Sequence, residues 1–298
     1  MILAERPRYG DEMSKAEAFV QRLSEKEEPG RQDYEEALGC LDEAVCEAVA
    51  VGQAQAGRMA GPCMGYATYV FARMCAHGTA AGRAAPLSRW VESDHAQWGF
   101  HAIACHARAI LEGNLFFHYL ISPTNEDLEE GRARITLLQL NDCCSRVKMF
   151  ADDPEQLQAF ERQRDELIAR LKTIPFFQHL AQQVQSQCLS GKKAWFLDRA
   201  QLVEMVGMKK AQFDVIWDLW SQHSHIHPMS FYRMEANGRG SGLDNAADRS
   251  YLITAMLICA EILKVATDRM VEAFPDVANV RQGLDSKFSP GPKSNRPK

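Results

Sequence analysis

A chain of 298 residues, 46% hydrophobic and 24% charged, has the make-up of a soluble globular protein and the length to bury a substantial core. A net charge of −5 argues against a general nucleic-acid binder, which needs clustered Lys and Arg to neutralise phosphates, so RNA is a partner the charge does not support. Nine cysteines with no CxxC spacing exclude zinc-ribbon and thioredoxin readings and fit the reduced thiols of a cytoplasmic protein.

The opening stretch, MILAERPRYGDEMSKAEAF, has no long apolar run and therefore no secretory signal. No stretch of 18 uninterrupted apolar residues follows, so neither a transmembrane helix nor a membrane partner is expected. Residues 1–30 read as a charged, flexible arm with a short helix through Lys15 to Leu23. From Arg31 to Met59, Leu38, Leu41, Val45, Ala48 and Val49 recur at helical spacing, and Gly61-Pro62 ends the element. A second helix covers Cys63 to Cys75 and stops at His77-Gly78, with GTAAGRAAP from Gly78 to Pro86 as a loop. Trp98 to Ile121 reads as one long helix, apolar on nearly every side. Helices then follow over Leu128 to Phe150, Pro154 to Leu171 and Phe176 to Leu189, and a short one capped by Asp198. Lys209 to His225 is an aromatic-rich helix closing in SQHSHIHP. Met234 to Asn245 is a Gly-rich loop, its GRGSG reading as a linker with no strand before it. Asn245 or Asp248 caps a last apolar helix, Arg249 to Phe274. No alternating strand pattern and no internal repeat appears. The expectation is an all-α protein: one bundle-like domain over 31–275 and a disordered, basic tail over 276–298.

Two helices carry ordered polar faces. On the first, His101, Cys105, Arg108, Glu112 and Tyr119 share one face, each within about 40° of His101, on a helix otherwise apolar nearly all round. Such a helix should be buried, and a buried Arg108 and Glu112 must be paired, with each other or with something opposite. On the second, Asp214, Asp218, Ser221 and His225 share a face within about 60°. Phe213, Ile216, Trp217, Leu219 and Trp220 take the flanks and the opposite arc, with His223 among them. His223, His225 and His227 form an H-x-H-x-H run, a pattern that chelates metal when extended, although no Cys or acid ligand stands at recognisable spacing and no metal site is assigned. No Gly-rich phosphate loop and no GxSxG is present.

These patterns carry a resemblance. The helix ARAILEGNLFFHYLI and the later WDLWSQHSH (Trp217 to His225) are similar to two segments of a bacterial all-helical family of unknown function, in which an Arg-x-x-x-Glu helix precedes a Ser/His helix. The resemblance covers about residues 90–270 and implies that the two helices pack together. It also implies a distant likeness to HEPN-type domains of toxin and defence systems. Arg89 to His95 (RWVESDH) matches the Arg-to-His spacing of HEPN ribonucleases, but Trp90 stands where that class carries a small polar residue, and the motif precedes a helix.

The expected site is a buried cluster of Arg108, Glu112 and His225, the candidate catalytic residues, with His101, Tyr119, Ser221 and His227 as ligand-binding residues. The leading functional expectation is a binding or interaction module linked to bacterial stress or defence, taking a small anion or a protein partner and open to self-association. The alternative is a HEPN-like ribonuclease or another phosphate-directed hydrolase, with a histidine as acid or base and Arg108 stabilising phosphate. A metal-dependent enzyme using the histidine run is a third reading. No cofactor is indicated.

Overall fold

Helical periodicity dictates most of what is seen in the computed structural model, which describes residues 28–122, 128–232, 238–286 and 290–291. Among the described residues there is no strand, and the protein is all-α. One isolated antiparallel bridge joins Trp98 to Gly242. Internal contacts gather the chain into two compact units, Met1–Arg58 with Val70–Asn114 and Gly207–Lys298, and Met59–Tyr69 with Leu115–Val206.

The first unit is built on α1 (Arg31–Gln55) and the last long helix, α11 (Ala246–Ala273), which pack along each other. Leu41, Val45, Ala48 and Val51 bury one side of α1, and Leu252, Met256, Cys259 and Leu263 bury one side of α11. Burying each of the larger side chains contributes about 1.5–3 kcal/mol. By length and composition alone α11 could cross a membrane, yet 56% of its most apolar window is buried inside the protein. Asn245 caps it, its side chain accepting from Asp248 N.

Between these helices runs α2 (Pro62–Ala84), which crosses from the second unit into the first. It does not stop at His77-Gly78: the stretch expected to be a loop is helical to Ala84. The reason is tertiary. A Cβ at Gly78 would stand 2.9 Å from Val45 Cγ2 and 3.0 Å from Leu263 Cδ1, so glycine here permits close approach to α1 and α11. Next in the chain comes α3 (His101–Ile121), whose residues through Asn114 belong to this unit. The unit is completed by α9 (Lys210–Ser224) and the single turn α10 (Pro228–Phe231).

Two 3-10 turns, Pro275–Val280 and Gly283–Asp285, follow α11, so the ordered chain extends past the expected tail boundary at 276. Val277 and Ser286 are buried, and Arg281 donates to Glu47 and Asp268. The remainder of that tail, residues 287–289 and 292–298, lies outside the described residues, as do the expected helix through Lys15 to Leu23 and all but residues 28–30 of the arm.

In the second unit, α4 (Leu128–Met149) and α5 (Pro154–Thr173) form the principal pair, and the turn α6 (Pro175–Gln178) packs against both. The helix expected over Phe176 to Leu189 is two pieces, α6 and α7 (Gln182–Leu189). Asp198 caps α8 (Arg199–Met205) through a reciprocal box with Gln201.

Candidate functional site

The Arg-x-x-x-Glu helix and the Ser/His helix do meet, within the first unit. Arg108 Nε donates to Ser221 Oγ at 3.0 Å, and its Nη1 donates to Glu112 at 3.1 Å, one turn along α3. The guanidinium lies over the Trp217 ring, 3.0 Å from its centre. Trp217 is one turn before Ser221 on α9, so the two share a face; placing Trp217 on the flanks or opposite arc followed its apolar character and not its angle. Ser221 itself donates to Trp217 O at 2.6 Å. Arg108 thus uses two donor groups and one planar face on protein partners, the geometry of a clamp.

The cluster is half-buried where full burial was expected. The Arg108 side chain is 18% exposed and that of Glu112 45%. His101 and Cys105, on the same stripe, are exposed. From His101 to Glu112 the polar stripe keeps contact with water, which is why the helix tolerates it there; the apolar remainder, Ile103, Ala107, Ile110 and Leu111, is buried.

Several expected site residues lie elsewhere. His225 is the exposed C-cap of α9, extended at φ −110°, and its ring neighbour is His227, centre to centre 5.5 Å. The helix ends one residue before His225, which carries that side chain off the Ser221 face. Asp214 pairs with Lys210 and Asp218 is exposed. Tyr119, about three turns beyond Arg108 on α3, belongs to the second unit. There its hydroxyl accepts from Phe196 N at 3.2 Å, Arg134 lies over its ring at 4.2 Å, and Arg134 also donates to Tyr119 O and to Glu130. Burial raises the Tyr119 phenol above its ordinary range.

Sequence reasoning passed over a second cluster. His223, from the apolar arc of α9, is the buried histidine of the run, 9% exposed. Its Nε2 lies 2.9 Å from Arg239 Nη2 and therefore accepts from it, leaving Nδ1 as the protonated nitrogen. Phe100 meets the ring edge-on at 5.0 Å, and Tyr251 takes the Arg239 guanidinium over its face at 5.0 Å. Burial first, then the Arg239 charge, push the imidazole down to about 4; Asp248 opposes and His101 reinforces this. The GRGSG stretch that brings Arg239 here is a fitted turn. Gly240, at φ +73°, donates its N–H to the buried Asp248 carboxylate at 2.8 Å, and Gly242 O accepts from Trp98 N. A histidine standing among aromatic residues on the apolar arc was the available signal.

Arg89, of the HEPN-like spacing, is also committed. It forms a two-pronged ion pair with Asp42, both side chains being 15% exposed or less, and Trp90 Nε1 donates to the same carboxylate at 2.8 Å. His95 is exposed. Trp90, the departure from the HEPN pattern, is thus part of the packing that holds Arg89. Among the described residues no group of three or more His, Cys, Asp or Glu side chains could hold a metal ion.

Comparison with protein-family models, curated proteins and solved structures returns no match.

What distinguishes the neighbourhood of α9 is its far end. Directly after the clamp helix, Ile226 (90% exposed), Met229, Phe231 and Tyr232 (81%) all stand in water beside the exposed imidazoles of His225 and His227. Pro228 at the first position of α10 fixes the turn that presents them.

Proposed function

We propose that this protein is a non-enzymatic interaction module that docks a partner protein through the exposed apolar segment 225–232. One observation carries the reading: four large apolar side chains within seven residues remain in water at the end of a helix that buries Phe213, Trp220 and His223 on its other side. Contiguous apolar surface of this kind is disfavoured on a solitary soluble protein and marks contact surfaces. Tyr and Met beside imidazoles suit a protein interface better than a small-molecule cleft, because aromatic residues and Met are enriched where proteins meet and supply large contact area.

The polar clusters support the same reading. Arg108 is engaged by Ser221, Glu112 and Trp217, and His223 by Arg239, so both serve to hold α9, and with it the segment that α9 presents, against α3 and α11. A hydrolase reading asks for a histidine beside Arg108, and the His225 ring stands instead against that of His227, 5.5 Å centre to centre.

The test is recovery of bound protein from the native source by tagged full-length chain. Ile226→Ser with Tyr232→Ser should leave the melting temperature unchanged, because both side chains are exposed, and should abolish recovery of whatever the wild type binds. Equal recovery by the variant, or no bound protein with wild type, would contradict the proposal.

A further inference from the structure

Away from both clusters, α2 and α3 are joined by a pair of histidines. His77 and His106 are half-buried, with their Nδ1 atoms 3.2 Å apart, ring centres 5.5 Å apart and ring planes at 47°. The centre separation exceeds the nitrogen separation by 2.3 Å (5.5 less 3.2), about twice the centre-to-nitrogen distance of an imidazole, so the two nitrogens face each other head-on. Two bare nitrogens would repel in that arrangement, and so would two N–H groups. One ring must therefore carry its proton on Nδ1 and donate, and the other must carry it on Nε2 and accept.

We propose that His77 and His106 are a proton-operated latch: opposed neutral tautomers close the α2–α3 seam, and protonation of the accepting Nδ1 opens it. The proton balance is simple. A first proton from water can settle on the free Nε2 of the donor ring and leave the bridge intact. A second must take the accepting Nδ1 itself, which replaces the shared hydrogen bond with two N–H groups and two like charges in contact. Arg73, one turn before His77 on α2, opposes a charge on His77, as does His106 from α3; for His106 the opposing cause is burial. On the neighbouring face of α2, Gly78 abuts Val45 of α1 and Leu263 of α11, which are apolar. Burial pushes both imidazoles below the usual histidine range, and for His77 the His106 ring and Arg73 add to this.

The sign follows from these directions. Both groups bind protons less readily folded than unfolded, so their contribution is complete above the unfolded pKa, about 6.5, and is lost as pH falls below it. His106 is two residues before Arg108 on α3, so opening the seam bears on the helix that carries the clamp.

Imidazole nitrogen NMR on the full chain at pH 7.5 tests the bridge, and amide hydrogen exchange at pH 7.5 and 5, corrected for intrinsic rates, tests the seam. The expected result is one ring in the Nδ1–H form and the other in the Nε2–H form, with protection over 70–84 and 101–114 falling about tenfold or more at pH 5, the equivalent of one pKa unit. His77→Gln, whose amide can donate to His106 Nδ1 but cannot charge, should keep protection at pH 7.5 and blunt the acid response; His106→Gln is the reciprocal variant should the first fold poorly. Two rings in the same tautomer, or equal acid sensitivity in the Gln variants and wild type, would overturn the proposal.

Discussion

Arg108 shows how local context changes the value of a charge. An Arg–Glu pair sealed in a core would cost about 3–5 kcal/mol to break. Here Glu112 is nearly half exposed, so the ion pair contributes about 0–1 kcal/mol, and stacking on Trp217 adds on the order of 1 kcal/mol. Arg108→Ala should therefore destabilise by about 1–2 kcal/mol in urea unfolding. A double-mutant cycle with Trp217→Ala should return a coupling of roughly 1 kcal/mol; a coupling near zero would show that the stack contributes nothing. Asp42 is the opposite case. Its carboxylate receives Arg89 and Trp90 in a nearly sealed setting, so Asp42→Ala should cost about 3 kcal/mol or more. His223 adds a pH term. Its folded-state pKa, about 4, is below the unfolded value, so its contribution is complete above about pH 6.5 and is lost progressively as pH falls towards 4. His223→Gln should flatten the stability profile across that window, read by melting temperature against pH.

At the scale of elements, helix existence was legible and helix extent was less so. Leu41, Val45 and Ala48 announce α1 by spacing alone, and Asp198 and Asn245 announce the starts of α8 and α11 by their capping chemistry. The path of α2 beyond Gly78 was not legible, since glycine reads locally as a breaker and only the approach of Val45 and Leu263 explains it. That reason can be checked: Gly78→Ala should gain helix propensity yet destabilise by about 1–2 kcal/mol net, because its Cβ meets two buried side chains. A stabilised variant would remove the packing explanation. The packing of the Arg108 helix on the Ser221 helix was implied by the resemblance and left open by the polar faces alone, while Trp217 was placed on the flanks or opposite arc although its angle matched Ser221. His225 was expected on that face because the periodicity was carried one residue past the end of α9.

For the molecule as a whole, what sequence patterns conveyed was an all-α chain with two helices that carry polar faces. They could not convey which surface is left uncovered. In HIHPMSFY the sequence draws notice to the histidines and not to the apolar side chains, and only the packing of the first unit shows that Ile226 and Tyr232 have no cover from it. Cysteine chemistry divides in the same way. Cys75 and Cys259 are buried, and burial pushes their thiols up to about 12, whereas Cys105 on the polar stripe is exposed. Thiol labelling of native protein should accordingly modify Cys105 well before Cys75 or Cys259. If the clamp is structural and the segment beyond it makes the contact, one crossed comparison separates them: melting temperature and partner recovery measured together for Arg108→Ala and for Ile226→Ser with Tyr232→Ser. Arg108→Ala should lower the melting temperature and retain partner recovery below that temperature, and the double variant should keep its melting temperature and lose recovery. A thermally silent Arg108→Ala that abolishes recovery, with the double variant still binding, would overturn this division of roles.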